Sequence, residues 1–415
     1  MSRHLPRSEG SLAPSSVGSL APTGRVPRAL GLIVVAVVLA ACGQGPILAN
    51  PTVPRPSAPT PTAVASRAAD PVAVVLPRDD RPHDRLTEWW YYTGHLRDSG
   101  GGRWGFEYVI FRAERGSFPV SWASHLALTD ETGGTFRYDQ RSEIGPQVDR
   151  TVRAGDGFAL AMSGFDLALG GVPPGVTPWL MGGLGGRDRL AADSVTAGFG
   201  LALDLSAVRA ATLHDTDGYV DFGPAGGSYY YSRTRMAATG SLRVGNRALR
   251  VEGLAWFDHQ WGDFIAVGGG GWDWFAVNLD DGTDITISLV RDRSGTYPLV
   301  YGTLVEADGR VRNLDRSAFT VTPTGTWTSR RTGAVYPAGW RIELPGDRLV
   351  LDLAPTVADQ ELDTRATTGV VYWEGSQRVV ASRAGKTMGG EAYVELTGYG
   401  APASSASPGA PSAAP

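Results

Sequence analysis

The chain of 415 residues has a single cysteine, Cys42, so no internal disulfide can form and stability has to come from a packed core. It has no excess of positive charge. Its 38 Lys and Arg against 42 Asp and Glu leave a formal −4, without the basic footprint of a nucleic-acid binder. Histidines number six, and none stands in a close His-x-His or HExxH spacing, so no metal is expected from the spacing. No P-loop, GxSxG elbow or GxGxxG fingerprint occurs in the right context, which counts against nucleotide-dependent and serine-hydrolase chemistry. Sustained helical periodicity is nearly absent, with a turn or two expected at most over Val357 to Asp363.

Long apolar runs are missing as well. The run Ala29 to Ala41 is too short for a membrane span of roughly 20 residues. Preceded by scattered arginines and closed by Leu39-Ala40-Ala41-Cys42, it reads as a secretory signal over residues 1–41. The ending resembles a bacterial lipobox, which would make Cys42 the lipidated first residue of a protein exported to the cell envelope and anchored in its membrane. Residues 42–80 are rich in Pro, Ala and Ser and read as a disordered tether, and 401–415 as a disordered tail.

Between them lie about 320 residues of β-like sequence, in short runs of Val, Thr, Tyr, Trp and Phe separated by Gly, Asp, Asn and Pro. Hairpins are predicted for Thr87–Leu96 with Trp104–Arg112 and for Ala238–Val244 with Leu249–Leu254. Two more are predicted, Trp272–Leu279 with Asp284–Val290 and Trp340–Leu344 with Leu349–Leu353. Gly164 to Arg189, with Pro173-Pro174 and four glycines in the five positions 182–186, reads as a long loop. Two antiparallel β-barrel domains are expected, 81–264 and 265–400.

Chemistry concentrates in Gly253 to Leu279, which holds Trp256, Trp261, Trp272 and Trp274 around Asp258, His259 and Gln260. Ionisable groups in an aromatic stretch are costly to bury unless they pair or work. Asp258, His259 and Gln260 therefore stand out as a working group, with a hydrogen-bonded structural corner as the alternative. Glu88, Trp90, Tyr92, Glu107, His125, Gln260, Trp272, Asp273 and Trp274 are candidate pocket residues for an apolar ligand. Taken alone, Glu88 reads as the exposed start of a strand and His125 as a hydrogen-bonded structural residue. The run Asp280 to Asp284 superficially suggests calcium, but the later glutamate of an EF-hand loop is missing and a hairpin turn explains it.

The series TEWWYYTGHL (87–96), GFEYVIFR (105–112), SHLALTD (124–130), WFDHQWGDF (256–264), WDWFAVNLDDG (272–282), YWEG (372–375) and YVELTGY (393–399) resembles the carotenoid 1,2-hydratase / AttH-like family. The resemblance implies two lipocalin-like barrels, and a cofactor-free hydratase or lyase acting on an apolar, isoprenoid-like substrate. It assigns Asp258, His259 and Trp261 to the active site, with Asp273 a candidate for a further acidic position. In a hydratase Asp258 would be the proton donor, tryptophan faces would stabilise the cation, and His259 would orient the acid or take the proton from water. The alternative is a lipocalin-like lipoprotein that binds or carries an apolar ligand without chemistry. Substrate and oligomeric state stay open.

Overall fold

The computed structural model describes residues 70–400, apart from 153–154, 167 and 265–268. The signal, Cys42, residues 43–69 of the tether and the tail after 400 lie outside the described residues. Those described all belong to one contact unit, Pro46–Pro415, and no helix among them is long and apolar enough to cross a membrane.

Strand formation follows the alternation of bulky β-branched and aromatic residues, and among the described residues two large antiparallel sheets result, of twelve and ten strands, beside a two-stranded ribbon of Thr326–Thr328 and Val335–Pro337. In the first, four successive strands from Thr87–Asp98 to Thr135–Ile144 form a meander on one side. On the other side of Thr87–Asp98 lies Arg247–Gly262, followed by Gly227–Val244 and then Phe199–Ala207 back to Phe158–Met162. The two outermost strands, Thr135–Ile144 and Phe158–Met162, are successive in the chain, and the sheet closes almost completely into a barrel. The second sheet is a half-barrel of strands between Gly269 and Thr397. The architecture is that of two lipocalin-like barrels.

All four predicted hairpins form. The run Asp280 to Asp284 is the tight hairpin connection expected of it, with the Leu279 N–H donating to the Thr283 carbonyl and the Thr283 N–H to the Asp281 carboxylate. Three expectations are corrected. Gly164 to Arg189 is not one long loop, because Trp179–Leu184 and Arg187–Ser194 pair across Gly185 and Gly186, whose φ of 60° and 82° suit a two-residue hairpin turn. Val357 to Asp363 holds no helical turn; Glu361–Asp363 is a short strand. The end of the proposed tether, from Asp70, packs on the first barrel, because polar groups there find buried partners. Asp80 is fully buried and takes Arg233 on both carboxylate oxygens at 2.7 and 2.9 Å.

Alternation along each strand creates three apolar layers. Trp90, Tyr92, Phe106, Tyr108 and Trp179 fill the first barrel, while Phe275, Ile287, Trp340 and Trp373 fill the second. The outward faces meet in a third layer, with Tyr91, Val109, Phe111 and Trp256 from one sheet and Trp274 and Tyr393 from the other. Arg97 and Arg103 of the first sheet both reach Glu391 of the second.

Candidate functional site

The strand Arg247–Gly262 carries the central motif, and its pleat separates the motif's two ionisable residues. Asp258 pairs with Tyr91 and Ser232 on the face turned to the second sheet, whereas His259 pairs with Trp90 and Tyr231 on the face turned into the barrel. Both are buried, at 3 and 0 % exposure, so both avoid bulk water. They cannot serve one reacting atom from one side, and His259 does not orient Asp258. The candidate residues therefore divide into two clusters instead of lining one pocket.

The first cluster lies between the sheets. Asp258 accepts hydrogen bonds from Tyr230 at 2.6 Å, from the Trp256 indole at 2.7 Å and from Ser232. Burial pushes its pKa up to about 6, against the pull of these three donors. Trp274 donates to the Tyr230 hydroxyl at 3.1 Å, and Gln260 to Ser228 at 2.7 Å. His214 stacks on Tyr230 with centroids 3.9 Å apart and reaches Ser232 Oγ at 2.7 Å; burial drives its pKa down to about 3.

Two crossed pairs complete this cluster. Tyr91 of the first sheet donates to Glu374 of the second at 2.7 Å, and Tyr372 of the second donates to Glu107 of the first at 2.9 Å. In both glutamates the other oxygen, Oε2, is buried without a partner. Desolvation raises Glu107 to about 8 and holds Glu374 well above the usual carboxylate range, each reinforced by neighbouring carboxyls. Glu395, cross-strand neighbour of both Trp274 and Glu374, is raised to about 7 by burial although the Trp272 indole donates to it. None of the four carboxyls has a cationic partner among the described residues. His125 sits 2.7 Å from the Tyr372 hydroxyl and 3.1 Å from Thr367, with burial lowering it to about 3, so it is the hydrogen-bonded neutral residue that its strand setting suggested.

The second cluster lies inside the first barrel. Glu88 is fully buried, not exposed at a strand start, because His83 and His259 both point at its Oε1, at 2.8 and 2.9 Å. Burial alone would raise Glu88, but the charge of His83 and the two imidazole contacts outweigh it and leave the carboxyl below its ordinary value. Trp261 lies flat on His83 with centroids 4.1 Å apart, and Trp90 stacks on His259 at 4.8 Å. Tyr92 turns away to donate to Asp188 at 2.8 Å. One ligand atom each from His83, Glu88 and His259 falls within 4.8 Å of the others, a group able to hold a metal ion that spacing could not reveal.

Asp273 belongs to neither cluster. It shares the core face of its strand with Phe275 and Val277, accepts from Tyr399 at 3.0 Å and lies 3.3 Å from Arg291, so its place as a pocket residue is withdrawn. A cleft of about 660 Å³ beside Phe158, Gly183 and Asp188 touches the second cluster only through Asp188, the acceptor of the Tyr92 hydroxyl. Sequence reasoning missed His83, His214, Tyr230, Glu374 and Glu395. Glu374 and Glu395 stand inside YWEG and YVELTGY, where an acid among aromatics was the available signal.

A family model described as AttH-like matches residues 67–399. The crystal structure of a candidate AttH from Nitrosomonas europaea aligns at a TM-score of 0.68 and 30% identity, covering 80% of this chain and 99% of that one. Kievitone hydratase from Nectria haematococca aligns at 0.59 and 17%, covering 78% of this chain and 93% of its own, a likeness of fold alone. No curated protein matches the chain. Matched across both sheets, from the packed segment before the first strand to the end of the last, the chain belongs to the AttH-like family.

Proposed function

We propose that the protein is a cofactor-free hydro-lyase that adds water to a carbon–carbon double bond of an apolar, isoprenoid-like substrate. The reading rests on one observation: two glutamates, one from each sheet, each hold a tyrosine on one oxygen and have nothing on the other. Buried carboxyls without cations stay protonated near neutral pH, and a protonated oxygen with no acceptor is a poised general acid. A merely structural interface would be better served by apolar residues of the same volume, since unpaired buried acids destabilise it.

Glu107 or Glu374 gives its proton to one alkene carbon, leaving a cation on the other. Trp256 and Trp274 belong to the same layer as Tyr91, the partner of Glu374, and an indole face there would stabilise that cation by about 2 kcal/mol or more in a desolvated setting. Water then forms the carbon–oxygen bond and passes a proton to a carboxylate. Asp258 fits that second role better than the acid role expected of it, because three donors favour its ionised form. Trp89 and Trp272, the partly exposed members of this layer, mark the side from which a substrate would approach.

The same reading carries the lipid anchor on Cys42 and a membrane-tethered place in the envelope, for which the supporting feature is the Leu-Ala-Ala-Cys sequence. The test is Asp258→Asn, assayed on whatever apolar molecule co-purifies, identified by mass spectrometry. Turnover lost with affinity kept is the expected result. Tight binding with no turnover in the wild type would instead establish a carrier.

A further inference from the structure

The geometry points to a binding site for one divalent first-row transition metal, of the zinc kind, at His83, Glu88 and His259 inside the first barrel. It lies on the opposite face of the Asp258 strand from the acids, so its failure would leave the hydro-lyase reading untouched, and the reverse holds as well.

Two imidazoles and one carboxylate, with a fourth position left over, form a donor set that suits zinc. The ligand atoms already converge: His83 Nδ1 and His259 Nε2 lie 2.8 and 2.9 Å from the same oxygen, Glu88 Oε1. Ligands bonded to zinc at about 2.0–2.2 Å in tetrahedral array stand about 3.3 Å apart, so each nitrogen needs to move off the oxygen by only about half an ångström, while the two nitrogens, which lie within 4.8 Å of each other, close in by at most about 1.5 Å. Glu88 Oε2 accepts the backbone N–H of His83 at 2.9 Å, which fixes the carboxylate plane.

The proton count at His259 is the second argument. Tyr231 gives its own proton to Asp80 at 2.5 Å, so the Tyr231 oxygen, 3.4 Å from His259 Nδ1, stands there as an acceptor. His259 therefore faces two acceptors, Glu88 and Tyr231, and a neutral imidazole has one N–H for them. A dication on Nε2 satisfies both contacts and leaves the proton on Nδ1.

The outer partners are those metal-bound histidines usually have. Behind His259 stand Tyr231 and Asp80; behind His83 stands Asp79, whose carboxylate is 3.7 Å from the Nε2 left free by Nδ1 ligation. That Nε2 has no hydrogen-bond partner. Trp261 and Trp90 clamp the two rings by stacking. His83, with 17% of its side chain exposed, is the ligand through which an ion would enter.

The experiment uses the full-length, untagged protein, stripped with chelator and titrated with Co²⁺, then back-titrated with Zn²⁺. One equivalent should bind with the visible bands of low-coordinate cobalt, and zinc should bleach them. His83→Ala should abolish those bands with the far-ultraviolet circular dichroism and cooperative unfolding of the protein kept, and Asp79→Asn should weaken binding about 10-fold or more. A folded wild-type protein that takes up no stoichiometric cobalt would overturn the proposal. So would a folded His83→Ala protein that binds as the wild type does.

Discussion

Glu107 shows how a single carboxyl can set both stability and rate. A glutamate in the unfolded chain titrates near 4.5, and burial moves this one to about 8 in the fold. Between those values the native state holds the extra proton, so stability falls as pH rises from about 4.5 to about 8 and then levels off. Glu107→Gln cannot ionise and still offers an oxygen to Tyr372. It should match the wild type near pH 4 and exceed it at pH 8.5 by several kcal/mol, up to about 5, in urea unfolding. A wild-type stability that stays flat across that window would remove the basis for a buried acid. In the proposed reaction the acid limb of kcat against pH should fall near 6, where Asp258 gains a proton, and the basic limb near 8, where Glu107 loses one. Inverted or absent limbs in steady-state assays would reassign both roles. That Asp258 and His259 stand among aromatic side chains was legible from their neighbours in sequence. Their separation follows from a period of two, which places adjacent residues of any strand on opposite faces.

Among elements, the segment from Asp70 to Asp80 is tied to the first barrel by buried polar contacts. Composition placed it in the tether, and it is instead a strap locked from within. Asp80 holds Arg233, accepts from Tyr231 and receives the Gly185 N–H at 2.8 Å, while its own carbonyl accepts the Trp90 indole. Asp80→Ala strands a guanidinium that is only 3% exposed, and the expected loss is about 3–5 kcal/mol by chemical denaturation. A loss below about 1 kcal/mol would show that water reaches Arg233 and that the strap is loosely seated. The hairpins were readable because each turn announces itself locally, as with Gly245-Asn246 or Asp281-Gly282. The strap was not, since its partner Arg233 is 153 residues away and proline-rich sequence carries no sign of a distant ion pair. The strands around Gly185-Gly186 escaped notice for a related reason. Glycine density suggested looseness, whereas positive φ at two positions served a tight turn.

At the scale of the molecule, barrel class and family were legible from many weak, ordered signals, while the clusters needed the sheets brought face to face. His83, Glu88 and His259 span 176 positions of sequence, and no spacing rule reaches that far. The whole protein is also where the anchor is tested. Cys42→Ser should move the expressed protein from the membrane fraction to the soluble one without changing its melting temperature, because the change lies before the packed residues. Continued sedimentation with membranes would rule out lipid on that cysteine. The crossed tyrosine–glutamate pairs have a consequence of their own. Since each acid is held by a phenol from the opposite half, a slight tilt between the halves changes how readily either one gives up its proton, which makes proton-donor strength a direct gauge of how well the two halves are docked.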